Sequence, residues 1–357
     1  MTADELFRGR LIMAPMTRGT DLPFRLLARE WGAAICVGEM AYAHKTIGRE
    51  RGDLPLLRRH PTEQGFGVQL AGKIPEVMAE SAKLAADQGA EFVDVNCGCP
   101  IDEVTRRGFG ASLLQRPNKV AALVTAMKKS VTVPVTIKLR LGWSEGDADY
   151  LKVARAAVEA GVDAITLHAR SRAQRYRRAA EWDHVKALVD AVPVPVIGNG
   201  DVFSWRDAKR RMTETGCAAV MVGRWALAKP WLFREFAEER DIALDPGERL
   251  AVLRRYVEIC RGYFRDDEKG RARTRRFFVF HQDFFRRYRR HAERDAVNSD
   301  DPRTWGDPPA DDLEAWLCRA DLPGVEALAR WLVDGEEVEP PPFEADAPRA
   351  SKVAALG

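Results

Sequence analysis

Short apolar, β-branched runs recur from residue 10 to residue 223. They are "RLIMAP" (10–15), "AAICVG" (33–38), "FGVQL" (66–70), "EFVDVN" (91–96), "VTIKLR" (135–140), "DAITLH" (163–168), "VPVIGN" (194–199) and "AAVMVG" (218–223). Each suits a strand buried on both faces of a parallel sheet. Between them the apolar spacing becomes helical, and the pattern predicts helices over 74–89, 116–130, 147–161 and 204–216. Pro75 opens the first and Gly89 follows it; Ser204 caps the last and Gly216 closes it. The Arg-rich, polar connection 41–60 reads as a loop with a short helix. Strands alternating with helices over eight units imply an α/β fold, a (β/α)8 TIM barrel. A doubly wound sheet would carry a glycine-rich turn after its first strand, and "APMTRGTD" has one glycine there.

The alternation stops after "KPWLFREFAEER" (229–240), and segments 248–291 and 311–333 read as helices. The expected division is a barrel over 1–240, a smaller all-helical domain over 241–336, and a disordered Pro- and Ala-rich tail over 337–357.

Composition adds little to this frame. An apolar share of 46% is enough for a large core, and a net charge of +3 is too small to name a partner. The six cysteines form no disulfide-like framework, and the first residues resemble neither a signal peptide nor a membrane anchor. The expectation is a reduced, cytoplasmic protein with no membrane contact.

Candidate chemistry gathers at the strand ends, where a barrel places its reactive groups. Reading each end in turn gives Met16, Glu39, Gln69, Asn96, Lys138 with Arg140, His168, Asn199, and Gly223 with Arg224. Each has a plainer reading. Gln69 could bond loop backbone, His168 could be a satisfied core histidine, and Asn199 could form a turn. Lys138 lies inside "VTIKLRL", where an ammonium must find a partner. The "GNGD" and "VGRW" turns after the seventh and eighth strands make a candidate phosphate cradle, with Arg224 as a cation. A phosphorylated cofactor follows, and Lys138 could stabilise a reduced flavin. In a phosphosugar aldolase, the same lysine would instead be a Schiff-base nucleophile.

"VDVNCGCPID" (93–102) adds two thiols at one strand end. Cys-x-Cys without a second cluster is a poor zinc site, and redox pairs usually have two intervening residues, so no metal is expected. A buried inert thiol suits Cys97. Gly98 and Pro100 could hold Cys99 over the barrel centre as a proton donor.

Together the motifs resemble those of the tRNA-dihydrouridine synthases. They run in order from "APMTRGTDLPFR" (14–25) through "VQLAG" (68–72), "VDVNCGCP" (93–100), "TIKLRLGW" (136–143), "LHARSRAQRY" (167–176) and "IGNGDV" (197–202) to "MVGRWALAKPWLF" (221–233). "NCGCPID" and "KGRARTRRFFVF" (269–280) are most similar to the dihydrouridine synthase 3 branch. Eukaryotic members of that branch usually carry a Cys/His zinc finger before the barrel, and this sequence shows none there.

The resemblance implies FMN-dependent reduction of the uracil C5–C6 bond in tRNA, with NADPH as transient reductant. Hydride would go from reduced FMN to C6, and Cys99 would protonate C5. Pro15, Met16, Gln69, Lys138, His168, Asn199, Gly200, Gly223 and Arg224 would hold FMN. Asn96, Arg140 and His168 would line the uracil site. The family's glycine-richer "GGGA" loop is "RGFGAS" (107–112) here, so Phe109 is expected to reshape the loop beside Cys99.

Charge placement points to RNA independently. Arg170, Arg172, Arg175, Arg177 and Arg178 follow the sixth strand, with Tyr176 among them. In the helical segment, Arg271, Arg273, Arg275 and Arg276 precede five phenylalanines, and Arg286, Arg287, Arg289 and Arg290 follow them. These cations could neutralise phosphates or form solvated helix faces; the aromatic stripe reads as core. Two alternatives remain: an FMN oxidoreductase of a free pyrimidine or other small molecule (dihydroorotate dehydrogenase-like), and a non-catalytic RNA-binding protein.

Overall fold

The computed structural model describes residues 2–50, 52–288 and 309–342. These form two compact units, Met1–Leu22 with Ala33–Gly223, and Pro23–Gly32 with the chain from Arg224 onward.

The first unit is a closed parallel barrel. Its strands are β1 (Leu11–Met13), β2 (Ile35–Val37), β3 (Ala41–Tyr42), β4 (Phe66–Ala71), β5 (Phe92–Cys97), β6 (Val135–Arg140), β7 (Ala164–His168), β8 (Val196–Asn199) and β9 (Ala219–Val222). The sheet order is β2-β1-β9-β8-β7-β6-β5-β4-β3, and β2 also pairs with β4, which closes the ring. All eight expected strands are present. The additional β3 continues the β2 stave along β4. From Val37↔Gly67 to Ala41↔Leu70 the β2–β3 side spends four steps and β4 three, so the stave carries a one-residue bulge. Glu39 sits in that bulge, where its carboxylate accepts the Arg18 backbone N–H at 2.6 Å.

The predicted helices form as α4 (Pro75–Asp87), α6 (Pro117–Ser130), α7 (Asp149–Glu159) and α9 (Trp205–Thr215), with α5 (Asp102–Arg106) and α8 (Asp183–Ala191) between them. Ser204 Oγ accepts the Asp207 N–H and Gly216 closes α9 in the left-handed region, φ +72°. The connection 41–60 holds α3 (Ala43–Ile47) and one 3-10 turn, Leu54–Leu57. At the N-terminal end of the barrel, α1 (Ala3–Phe7) supplies Leu6 and Phe7 to a cluster with Ile12, Ile35, Phe92, Ala164, Ile197 and Ala219. Phe7 meets Phe92 edge-on at 5.0 Å. The barrel floor is therefore apolar and closed.

The second unit is helical. It contains most of α2 (Leu22–Glu30), with α10 (Arg224–Ala228), α11 (Leu232–Glu238), α12 (Pro246–Phe264), α13 (Glu268–Phe285), α14 (Asp312–Leu317) and α15 (Leu322–Ala329). Sequence reading placed the division after residue 240, whereas the units part at Gly223. The difference has a packing cause. Trp231 is buried edge-on against Tyr288 at 4.9 Å and Phe285 at 6.1 Å, which ties 224–240 to the later helices. Phe24 of α2 stacks on His281 at 4.4 Å. The Arg249–Glu314 pair is buried at 2.6 Å and joins α12 to α14. Of the expected tail, residues 343–357 lie outside the described residues.

Candidate active site

Strand register builds the site tier by tier. Gln69 pairs with Asp94 and Asp94 with Thr136; Asn96 pairs with Lys138 and Lys138 with Thr166; Arg140 pairs with His168 and His168 with Asn199. Side chains alternate along a strand, so "VDVN" turns Asp94 and Asn96 to one face, and "TIKLR" does the same for Thr136, Lys138 and Arg140. Above the apolar floor the barrel interior becomes polar.

A continuous chain of hydrogen bonds links the first tier to the Cys99 turn. Thr136 Oγ1 donates to Asp94 Oδ1 at 2.6 Å, and Gln69 Nε2 donates to Asp94 Oδ2 at 2.7 Å. Asn96 Nδ2 donates to Gln69 Oε1 at 2.7 Å. Asn96 Oδ1 accepts the backbone N–H of Gly98 at 3.2 Å and of Cys99 at 2.9 Å. The "NCGCP" turn is thus shaped by its own asparagine. Burial pushes the Asp94 carboxyl up to about 6, against the hydrogen bonds of Thr136 and Gln69 and the charge of Lys138.

Cys97 is buried, and desolvation raises its thiol strongly, with the Asp94 charge adding to the effect. Cys99 is half-buried. Burial raises its thiol too; the Ile101 backbone and the Arg140 charge pull the other way. The net effect keeps Cys99 protonated near neutral pH, as a proton donor requires. Phe109 is buried in a cluster with Ala71 and Val104, against which Met40, Tyr42 and Cys99 pack. A Cβ on Gly110 would lie 2.7 Å from the Cys99 carbonyl oxygen, at φ +58°, so the "GFG" turn needs its second glycine to pass beneath Cys99.

Lys138 donates to Asn199 Oδ1 at 2.9 Å, and Asn199 Nδ2 donates to the Met221 carbonyl at 2.8 Å. Desolvation, with the Arg140 charge, pushes the ammonium down to about 7, and Asp94 opposes this. The unfolded lysine holds its proton up to about 10.5 while the folded one releases it near 7. Unfolding of the ligand-free protein therefore takes up a proton in that window, and stability rises with pH there. Against Lys138→Met, the wild type should gain up to about 1.4 kcal/mol per pH unit between pH 7 and 10. Chemical denaturation at stepped pH measures this; parallel curves for the two proteins would refute it.

Arg140 donates from Nε to the Gly98 carbonyl at 2.9 Å and from Nη1 to the Ser171 carbonyl at 3.0 Å, joining the Cys99 turn to the loop after β7. Arg170 is fully buried. Its Nη2 reaches both Asp201 oxygens at 2.6 Å, its Nε donates to the Arg178 carbonyl, and its Nη1 lies 3.4 Å from His168 Nε2. A guanidinium can only donate, so that imidazole nitrogen is the acceptor. The expectation that Arg170 meets RNA is corrected: the pair with Asp201 consumes it. Arg286 is corrected likewise, being buried against Asp283 at 2.8 Å.

The remaining basic residues differ in exposure. Arg175, Arg177 and Arg178 are exposed, whereas Arg172 is partly covered, lying over Trp143 and paired with Asp102. Arg273 and Arg276 are exposed; Arg271, Arg275 and Arg287 are intermediate and pair with Asp266, Asp334 and Asp283. Arg289 and Arg290 lie outside the described residues. The aromatic stripe of α13 splits: Phe278 and Phe285 are core, while Phe277, Phe280 and Phe284 are half-buried.

The other expected cofactor residues stand at the same strand ends. Pro15 and Met16 follow β1, and the Met16 N–H donates to Thr20 Oγ1 at 3.0 Å. Gly200 has φ +126°, and a Cβ there would meet Ala180 at 2.7 Å and His168 at 3.3 Å. Gly223 is less crowded, since a Cβ there would lie 3.7 Å from the Met16 sulfur. Arg224 opens α10 and belongs to the second unit. Sequence reading missed Asp94 and Thr136, although the strict alternation in their strands was the available signal.

The dihydrouridine synthase (Dus) family model matches residues 12–300. A protein of Homo sapiens described as tRNA-dihydrouridine(47) synthase (NAD(P)(+))-like is 38% identical over 283 residues, covering 79% of this chain and 43% of its own. The protein of Coprinopsis cinerea named tRNA-dihydrouridine(47) synthase is 38% identical over 297 residues, covering 79% and 44%. This chain thus spans less than half the length of those relatives. Among solved structures, histamine dehydrogenase from Rhizobium sp. 4-9 aligns with a TM-score of 0.52 at 19% identity, over 70% of this chain and 49% of that one. That likeness concerns the barrel fold. With the family's pattern matched across the whole barrel, the chain belongs to the dihydrouridine synthase family.

Proposed function

We propose that this protein reduces uridine in tRNA to 5,6-dihydrouridine, with FMN as cofactor and NADPH as its reductant. The observation that carries the reading is the half-buried Cys99 thiol, on a turn hydrogen-bonded through Asn96 to Gln69 inside the barrel whose neighbouring strand carries Lys138.

The residues suit an anionic flavin. Lys138 is a half-buried amine whose hydrogen-bond partner among the described residues is the neutral Asn199 amide, so an anionic ring edge beside it would add to the charge of Asp94 in favouring the ammonium. Gln69, His168 and Asn199 offer further polar atoms, with Pro15, Met16 and the Gly200 and Gly223 backbones along the rim. Arg224, next in the chain to Gly223, is the proposed phosphate cation. When bound, reduced FMN supplies the two reducing electrons. The chain's own part is to place uracil C5 by the Cys99 sulfur, donate the thiol proton there, and exclude water from that atom. Asn96 and Arg140 keep the Cys99 turn in place, and with His168 they border the uracil site.

Support for RNA over a free base lies in the rim. Among the described residues the exposed large apolar side chains are Ile74, Ile101 and Tyr176, on the loops after β4, β5 and β7. Arg175, Arg177 and Arg178 flank Tyr176. A duplexed uracil must be extruded to reach Cys99, and a rim of apolar tips with cations can hold the opened strand. The helical unit, with Arg271, Arg273, Arg275, Arg276 and Arg287, is a second tRNA contact.

Purified protein incubated with unmodified tRNA and NADPH should carry flavin absorbance and form dihydrouridine, read by nucleoside mass spectrometry. Reduction of free pyrimidines with tRNA untouched would establish the small-molecule alternative. Arg175→Ala with Arg177→Ala should weaken tRNA binding and reduce the slope of log K against log salt by roughly 1–2. Anisotropy titrations at stepped salt test this, and an unchanged slope would remove these arginines from the contact.

A further inference from the structure

We infer that Asp94 is a positioning residue for Cys99, acting through a directional relay of amides inside the barrel. The inference rests on the reading of Cys99 as proton donor, and its test separates the two.

The direction of the relay follows from what each group can do. The Gly98 and Cys99 backbone N–H groups only donate, so Asn96 must turn Oδ1 toward them. Its Nδ2 then faces β4, and Gln69 must meet it with Oε1. Gln69 is left to offer Nε2 to position 94, which must accept. The Asp94 carboxylate does so while its other oxygen accepts Thr136 Oγ1, and Lys138 on β6 is the cation that favours its charged form. Gln69 and Asn96 are buried, so a reversed amide anywhere in the relay sets donor against donor or acceptor against acceptor without water to relieve it. The relay that starts at the Cys99 turn therefore crosses to Gln69 on β4 and ends on Asp94, back on β5, whose obligatory acceptor fixes the polarity of every link between.

This logic predicts a reversal. Asn96→Asp keeps an acceptor for both backbone N–H groups, but its second oxygen faces Gln69 Oε1. If Gln69 flips, its oxygen faces Asp94 instead. Adding Asp94→Asn supplies a donor at position 94, so every link is satisfied with Gln69 reversed. Asp94→Asn alone can keep its oxygen toward Gln69 and turn its nitrogen to the Thr136 hydroxyl.

Two readouts on the full-length, flavin-loaded protein decide the matter. One is the iodoacetamide alkylation rate of Cys99, resolved by peptide mass spectrometry; the other cysteines are all buried. The second is kcat and KM for tRNA. Asn96→Asp should speed alkylation about fivefold or more as the turn loosens, and lower kcat about tenfold with KM within about twofold. In alkylation rate Asp94→Asn should stay within about threefold of wild type, and the double variant should return to that range. Unchanged alkylation in Asn96→Asp, or a double variant no better than Asn96→Asp, overturns the relay. Alkylation that follows this pattern while kcat does not supports the relay and removes Cys99 from the proton transfer.

Discussion

Cys99→Ala should lower the rate of dihydrouridine formation by about 10²–10⁴-fold, the span one positioned general acid contributes. The Cys99 sulfur is the half-buried thiol of the described residues, and burial keeps it protonated. Replacing it removes one sulfur atom from a loop whose backbone is held by Asn96 and by the Ala111 N–H to Cys99 carbonyl bond at 3.0 Å. Those contacts do not involve the side chain, so flavin absorbance and melting temperature should stay near the wild type. Single-turnover assays with reduced protein and tRNA, followed by nucleoside mass spectrometry, measure the loss. A Cys99→Ala protein that modifies tRNA at the wild-type rate would remove the thiol from the chemistry. If tRNA binds with unchanged affinity and no chain variant affects dihydrouridine levels, the non-catalytic reading takes over.

Arg170→Met should destabilise the protein by about 3–5 kcal/mol, the cost of breaking a buried ion pair from one side. Asp201 would be left as a buried carboxylate whose remaining bond comes from the Ala180 N–H at 2.7 Å. Its backbone has φ +48°, so the loop after β8 is already held in the left-handed region. The Arg178 carbonyl and His168 Nε2 would also lose a donor. Adding Asp201→Asn should restore part of the loss, because the uncompensated charge is gone. Urea denaturation of the two variants and the wild type tests this. A change within 1 kcal/mol for Arg170→Met would mean that water or a neighbour replaces the guanidinium. The neighbouring Arg175→Ala, at an exposed side chain, should leave stability unaltered within about 0.5 kcal/mol.

The eight strands were legible because both faces of a barrel strand are covered, and such strands read as short apolar runs. Helix ends were legible where capping is local: Ser204 and Gly216 act on residues three or four positions away. The polar strand ends were legible for the same reason, since Gln69, Asn96, Lys138, His168 and Asn199 interrupt otherwise apolar runs. Their partners were not. Gln69 meets Asp94 across 25 positions and Lys138 meets Asn199 across 61, distances that only strand register brings together. Asp94 passed unnoticed because an acidic residue in a short strand looks like a solvent-facing one until the ring closes around it.

What the sequence determined by itself is the repeating unit and the inventory of reactive groups. Hydrophobic period and caps depend on residues a few positions apart, and the family's motifs lie in order along the barrel. Only tertiary structure decided which groups are free to react. Arg170 and Arg175 have the same side chain five residues apart, yet Asp201 binds one inside the barrel wall and the other stands in solvent. Cys97 and Cys99 are separated by one glycine, yet the first is sealed in the wall and the second reaches the mouth. Burial and charge pairing are properties of the closed ring, and no window along the chain contains them.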